Sequence, residues 1–173
     1  REAVKMQSEI QEASVSSIAK VAKKFEKLHI GGYGELHFSD TETDGGTKSK
    51  SVDAHRFVLF FGYDFNDKVR FRSEFELEHA IAGEGKTGEI ELEQMYVEWD
   101  ITNATAMVAG VNILPVGILN ENHEPPTFYG VERNDVEKYI IPATWWAAGV
   151  GIKHKMANGL AFEAMIHEGL KMT

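Results

Sequence analysis

Charged side chains occupy every second position of one short segment. The even-numbered positions carry two arginines and three glutamates, namely Arg70, Arg72, Glu74, Glu76 and Glu78. The odd-numbered positions from 69 to 77 carry Val, Phe and Leu residues with one Ser. Because successive side chains of a β-strand point to opposite faces, one face is apolar and the other is ionised. Rows of charges set the selectivity of water-filled channels, so the alternation predicts a strand between lipid and an aqueous lumen.

The same alternation assigns further charged residues to the lumen. We predict a pore wall of ten residues: Glu35, Arg56, Arg70, Arg72, Glu74, Glu76, Glu78, Glu91, Lys153 and Lys155. With Asp64, Glu89, Glu93 and Glu163 included, the carboxylates outnumber the basic groups. Two roles are open for these charges, since they can steer solutes or neutralise each other across the wall.

Residues 115–146 form a long segment that contains all four prolines of the chain. Loops of this length in compact proteins are usually functional, and proline stiffens them by fixing φ. We predict that the segment folds into the lumen and narrows it. Its charged residues then face the pore, namely Glu121, His123, Glu124 and Arg133, together with Asp135 and Lys138. The alternative is that the segment closes the outer mouth or packs at a trimer contact, with its charges in solvent.

Other chemistry has less support in the sequence. Glu121, His123 and Glu124 are residue types that bind divalent ions, but no second ligand pair at helical spacing accompanies them. We therefore predict neither a metal nor a cofactor. Because no Ser-His-Asp or paired-carboxylate arrangement stands out, we do not expect an enzyme.

Seven segments with two-residue periodicity must position these side chains. The predicted strands cover about residues 29–39, 53–65, 69–79, 89–100, 105–114, 147–156 and 160–170. Their lengths suit the roughly 9–11 residues that a strand needs to cross a bilayer. Within the fourth strand the apolar positions change phase near Glu93 and Gln94, which predicts a β-bulge.

The predicted connections alternate in length. Residues 40–52, 80–88 and 115–146 form long connections, and residues 66–68, 102–104 and 157–159 form short ones. Outer-membrane barrels have long loops outside and short periplasmic turns. The alternation therefore favours an antiparallel transmembrane β-barrel over a soluble β-sandwich, which would need Phe57, Leu59, Phe61, Phe71 and Phe75 buried against a second sheet.

Residues 1–28 differ from the rest of the chain. They contain no Gly or Pro, and their apolar residues recur at helical spacing. We predict a periplasmic N-terminal helix. It either forms a coiled coil that trimerises or contacts the cell wall, or packs on its own chain.

Composition excludes several classes of protein. The net charge of −9 argues against a nucleic-acid partner, because phosphate backbones require clustered Lys and Arg. The absence of cysteine excludes a disulfide framework and a thiolate metal site. No apolar run approaches the roughly 18 residues of a spanning helix, so membrane crossing requires strands.

Several longer motifs point to a family. These are GYGE at 32–35, EFELEH at 74–79, EQMY at 93–96, PVG at 115–117, NENHEPPTFYGVER at 120–133 and IPATWW at 141–146. Over about residues 29–170 they resemble outer-membrane porins of the phosphate-selective porin O/P type. The resemblance implies a homotrimeric antiparallel barrel of about 16–18 strands that allows passive diffusion of solutes. We do not extend its anion preference to this chain, because acidic residues outnumber basic ones in the predicted lumen.

Seven strands are too few for a bacterial barrel, which has an even number of at least eight. We therefore expect the N-terminal portion of a larger barrel. The predicted function is an outer-membrane porin for small hydrophilic or ionic solutes, embedded in the lipid bilayer. The alternative is a structural envelope protein that tethers the outer membrane to the cell wall through residues 1–28.

Overall fold

The computed structural model describes residues 2–80, 85, 88–140 and 144–169. A helix, α1 (Glu2–Phe25), precedes seven strands. The strands are β1 (Leu28–Glu42), β2 (Lys48–Asp64), β3 (Val69–Glu78), β4 (Ile90–Asp100), β5 (Thr105–Ile113), β6 (Trp146–Lys155) and β7 (Ala161–His167). Residues 114–145, named here the β5–β6 segment, include two single 3-10 turns and a short helix, α2 (Asp135–Tyr139).

All seven strands form one antiparallel sheet in the order of the sequence. Each strand pairs with its neighbour in the chain, so the sheet is a simple meander. Within the described residues β1 and β7 have one partner each, and the sheet is open. The predicted antiparallel architecture with an N-terminal helix is confirmed.

Two β-bulges interrupt the ladder. Glu74 pairs with Gln94 and Phe75 pairs with Leu92, so Glu93 is the extra residue, at the predicted place. The second bulge lies in β2, where Glu35 pairs with Arg56 and Leu36 pairs with Ala54. His55 is the extra residue there, and the sequence reading did not predict it.

The first connection is shorter than predicted. Residues 40–52 are largely strand, and only residues 43–47 join β1 to β2. Cross-strand ion pairs extend the hairpin, because the Lys50 Nζ atom lies 2.8 Å from Asp40 and the Lys48 Nζ atom lies 3.4 Å from Glu42. The prediction of a long loop here was wrong, since a polar hairpin arm resembles a loop when only apolar alternation is followed.

Burial is inverted relative to a water-soluble protein. The buried strand residues lie on the same face as the charged side chains: Val58, Gly62, Glu74, Glu76, Glu93, Val108, Asn112, Ala147 and Gly151. The opposite face exposes large apolar side chains, among them Ile30, Phe38, Phe57, Leu59, Phe61, Phe75, Leu92, Val97, Trp99 and Ile152. Since no second sheet covers this face within the described part of the chain, the soluble sandwich arrangement is absent there.

Helix α1 extends away from the sheet. Its apolar side chains Val15, Ile18, Val21 and Phe25 are all more than half exposed. The helix therefore does not pack its apolar stripe on the described part of its own chain. Among the described residues, no helix combines the length and the apolar character needed to cross a membrane.

Candidate functional site

The ten predicted pore-wall residues lie on one face of the sheet. Cross-strand register places Arg56 between Glu35 and Glu78, and Glu76 opposite Glu91. Lys153 lies opposite Glu163 at the other side of the sheet. Because residues paired in register point to the same side, these charged positions and the β5 residues in register with them form a continuous surface, named here the charged face.

Arg56 is the centre of one ion-pair network. Its Nε atom lies 2.8 Å from Glu35, and its terminal nitrogens lie 3.2 Å from Glu76 and 3.9 Å from Glu78. The Arg56 side chain is only 11% exposed and Glu76 only 2%. Such poorly solvated ions require partners, so removal of the guanidinium leaves the carboxylates uncompensated.

The other two predicted arginines form a second network near the short β2–β3 turn. Arg70 pairs with Glu98 and donates to Asp100 at 2.6 Å, while Arg72 lies 2.8 Å from Asp64. These side chains are about one-third exposed or less. Oppositely charged side chains of neighbouring strands therefore neutralise one another at this end of the sheet.

Between the two networks lies a buried acidic stretch. Glu74 and Glu93 are each no more than 2% exposed, and the Gln94 amide donates to Glu74 at 2.5 Å. The bulge at Glu93 increases the number of carboxylates in this stretch, because an extra residue in a strand changes the direction of a side chain. The bulge thus adds a carboxylate to the charged face.

Asn120 fixes the β5–β6 segment at both ends. Its Nδ2 atom donates to the Leu114 carbonyl at 2.7 Å and to the Trp145 carbonyl at 2.8 Å. Its Oδ1 atom accepts from the Trp145 backbone N–H at 2.6 Å. The Asn120 side chain is fully buried, and with the Leu114 N–H bond to the Trp145 carbonyl it closes a loop of more than 30 residues.

The β5–β6 segment contacts the charged face. His123 lies 3.2 Å from Glu93, and the Tyr33 hydroxyl donates to Glu124. Arg133 donates to the His123 carbonyl at 3.2 Å. Three of the four predicted segment residues are thereby brought together, whereas Glu121 is exposed.

Some predicted features of this segment lie outside the described residues. These are Pro142 and the side chain of Lys138. Asp135 is described, and its side chain is exposed.

Both ring nitrogens of His123 face acceptors. Nδ1 lies 2.9 Å from the Asn120 carbonyl and Nε2 faces the Glu93 carboxylate. Burial disfavours the imidazolium, but the hydrogen bond and charge of Glu93 outweigh it, so the pKa of His123 is raised. The protonated ring can donate to both acceptors at once and links the segment to the sheet.

Several contributing residues were missed by sequence reasoning. Tyr33 and Gln94 belong to the charged face, and Glu132 lies 3.1 Å from His37. Alternation places Tyr33 on this face, so its signal was available. Asn120 and Glu132 reach their partners because of the path of an irregular segment, and that path leaves no periodic pattern in the sequence.

Comparison with known proteins gives one informative relative. An uncharacterized protein of Aquifex aeolicus (strain VF5) is 38% identical to this chain over 154 residues. The match covers 88% of this chain and 35% of that protein, so this chain spans about a third of its relative's length. No family model matches the sequence. No solved structure matches it significantly.

Proposed function

We propose that this chain is the N-terminal part of an outer-membrane porin of the phosphate-selective porin O/P type, a passive channel for small hydrophilic or ionic solutes. The charged face lines the lumen and the apolar face contacts lipid. The observation that carries the proposal is the inverted burial. Glu74, Glu76 and Glu93 are buried while Phe57 and Phe61 are 53% and 41% exposed.

Inverted burial has a specific energetic meaning. Exposing a broad band of large apolar side chains to water is unfavourable, and soluble monomers rarely present such continuous patches. Lipid removes that cost. The alternation of lipid-facing and lumen-facing residues along each strand is the pattern of transmembrane barrels.

The open sheet requires further strands. Unpaired backbone groups at β1 and β7 are too costly in a bilayer, so a spanning sheet must close on itself. The Aquifex relative is roughly three times longer than the matched region. We propose that the rest of a comparable full-length protein closes the barrel and that three copies form the trimer.

The β5–β6 segment narrows the pore in this proposal. Its contacts with Tyr33 and Glu93 lie on the lumen side, and Asn120 fixes its two ends. A stiff segment across the charged face reduces the cross-section available to solutes. His123, Glu124 and Arg133 then contribute to the field in the constriction, as charged side chains do in channel filters.

Planar-bilayer recording of the full-length protein tests the channel function. We expect stepwise current increments that change with the charge of the permeating ion. A full-length protein that inserts into the bilayer and conducts no ions would contradict the proposal.

A second candidate function rests on helix α1. Its exposed apolar side chains find no partner surface in the described part of this chain, which favours association with another helix. In that case the protein tethers the outer membrane to the cell wall, and the pore is incidental. Deletion of residues 2–25 separates the two functions. If the protein is a porin, the deletion variant still conducts ions. If it is a tether, the variant no longer co-sediments with purified peptidoglycan.

A further inference from the structure

Three histidines and an aspartate gather on the charged face near the β1–β2 hairpin arm. Asp53 Oδ2 lies 3.0 Å from His55 Nδ1 and 2.9 Å from His79 Nδ1. The His37 ring stacks on His55 with centroids 4.2 Å apart and planes 8° from parallel. This group, named here the histidine cluster, is separate from the His123 contacts.

The local backbone builds the cluster. The bulge in β2 places His55 and Arg56 together opposite Glu35, which brings the His55 ring to the charged face. His79 follows β3 with φ of 54°, and its N–H donates to the His55 carbonyl at 2.9 Å. A positive φ is uncommon outside glycine, and such outliers concentrate at functional sites.

We propose that Asp53, His55 and His79 bind a divalent transition-metal ion such as Zn²⁺, Ni²⁺ or Cu²⁺. In the metal-free arrangement one carboxylate oxygen accepts hydrogen bonds from two imidazole N–H groups. When the neutral rings shift their protons to Nε2, both Nδ1 lone pairs become available beside the carboxylate, and a small movement of Asp53 lets an ion sit between the three donor atoms.

The spacing of the donor atoms suits such an ion. Ligands around a tetrahedral zinc at about 2.0–2.2 Å lie about 3.3–3.6 Å from one another. The observed separations of 2.9 and 3.0 Å therefore need to widen by only a few tenths of an ångström. All three donor atoms lie within 4.8 Å of one another.

The surroundings allow an ion to enter. The three side chains are between 22% and 37% exposed, and Asp53 and His55 line a cavity of about 380 Å³ with His37 and Glu132. Water in this cavity can occupy a fourth coordination position. Glu35, His37 and His55 form an overlapping group of donors, so the site is rich in imidazole. Imidazole ligands favour zinc, nickel and copper over magnesium and calcium.

A third group of donors, Glu74, Glu93 and His123, is the weaker candidate. It contains one histidine, and both nitrogens of that ring already face Asn120 and Glu93. Its members are at most 4% exposed, so an ion has no open approach.

The test is isothermal titration calorimetry of the full-length protein in detergent, with Zn²⁺ alone as the titrant. We expect one tight site per chain in the wild type. Loss of a residue that hydrogen-bonds a metal ligand weakens metal binding by up to about 100-fold, and loss of a ligand itself should weaken it at least as much, so we expect about 100-fold weaker binding in His55→Ala and in His79→Ala. His154→Ala is the matched control, because His154 contacts Thr105 and Phe162 at the opposite end of the strands, and we expect no change.

The wild type alone provides an independent readout. Bound Cu²⁺ should give an electron paramagnetic resonance spectrum with nitrogen couplings from at least two imidazoles. Absence of a tight wild-type site, a spectrum without nitrogen couplings, or equal affinity in His55→Ala, His79→Ala and wild type would each overturn the proposal. Metal binding here does not require a conducting pore. If the metal proposal fails, the conductance test of the proposed function is therefore unaffected.

Discussion

Asn120 and Trp145 are joined by a reciprocal pair of hydrogen bonds at the end of the β5–β6 segment. The Asn120 amide donates to the Trp145 carbonyl at 2.8 Å, and its oxygen accepts from the Trp145 N–H at 2.6 Å. A third bond to Leu114 completes the closure. Together with the hydrogen bond from the Leu114 N–H to the Trp145 carbonyl at 3.0 Å, one buried amide holds the two ends of a segment of more than 30 residues together.

Replacement of Asn120 should release this segment. Asn120→Ala removes three hydrogen bonds and leaves the Trp145 N–H without a partner, at an expected cost of about 1–3 kcal/mol. Urea unfolding of the full-length protein in detergent measures the change. Asn122→Ala is the control, because the Asn122 side chain is exposed and donates one hydrogen bond, to the Ile118 carbonyl. Equal effects of the two substitutions would contradict the closing role.

The His123–Glu93 contact should make stability depend on pH. The pKa of His123 is raised in the folded protein, so its stabilisation is complete below about pH 6.5, the unfolded value, and is lost as pH rises through the folded pKa. We expect the stability difference between wild type and His123→Gln to be largest below about pH 6.5 and to shrink as the pH is raised from there into the alkaline range.

Unfolding in detergent across that pH range measures the difference. Glu74, Glu93 and Glu124 face or adjoin residue 123 in both proteins. His154→Gln controls for a remote histidine. Parallel pH profiles of unfolding free energy for wild type and His123→Gln would show that protonation of His123 does not affect stability.

Arg56 should govern both charge balance and stability. Arg56→Gln leaves Glu35 and Glu76 without their cation, and breaking a buried ion pair costs about 3–5 kcal/mol. In the proposed channel the lumen also becomes more acidic, so the reversal potential in a KCl gradient should shift toward cation preference.

Arg72→Gln is the matched control, because Arg72 and Asp64 are each about one-third exposed. We expect a loss of about 1 kcal/mol or less for that pair. An unchanged unfolding energy and reversal potential in Arg56→Gln would rule out a central role for Arg56.

A charge on the apolar face should be costly in a bilayer. Leu59→Arg should destabilise the inserted protein by about 2–4 kcal/mol if Leu59 contacts the hydrocarbon core. The control Val131→Arg lies in the β5–β6 segment, where Val131 is 81% exposed, and should change stability by about 0.5 kcal/mol or less. In water both positions would tolerate arginine, so equal and small effects would count against lipid contact.

Alternation was enough to predict seven strands, their two faces and the bulge at Glu93, because each depends on local periodicity, but it missed the polar ends of β1 and β2. The bulge at His55 was missed, although Asp53 and His55 are polar at positions that the phase of Phe57 assigns to the apolar face. That mismatch was the available signal. The contacts of His123 and Glu132 with the sheet could not be predicted, since they depend on the path of an irregular segment.

Lipid contact of the apolar face is the central claim, and site-directed labelling tests it directly. This sequence contains no cysteine, so single cysteines can be introduced along β3 and labelled with a fluorophore. In bilayers of brominated phospholipid, labels at positions 71, 73 and 75 should be quenched, while labels at positions 70 and 72 should respond to aqueous iodide. Iodide quenching at all five positions, without quenching by brominated lipid, would contradict the membrane-spanning sheet.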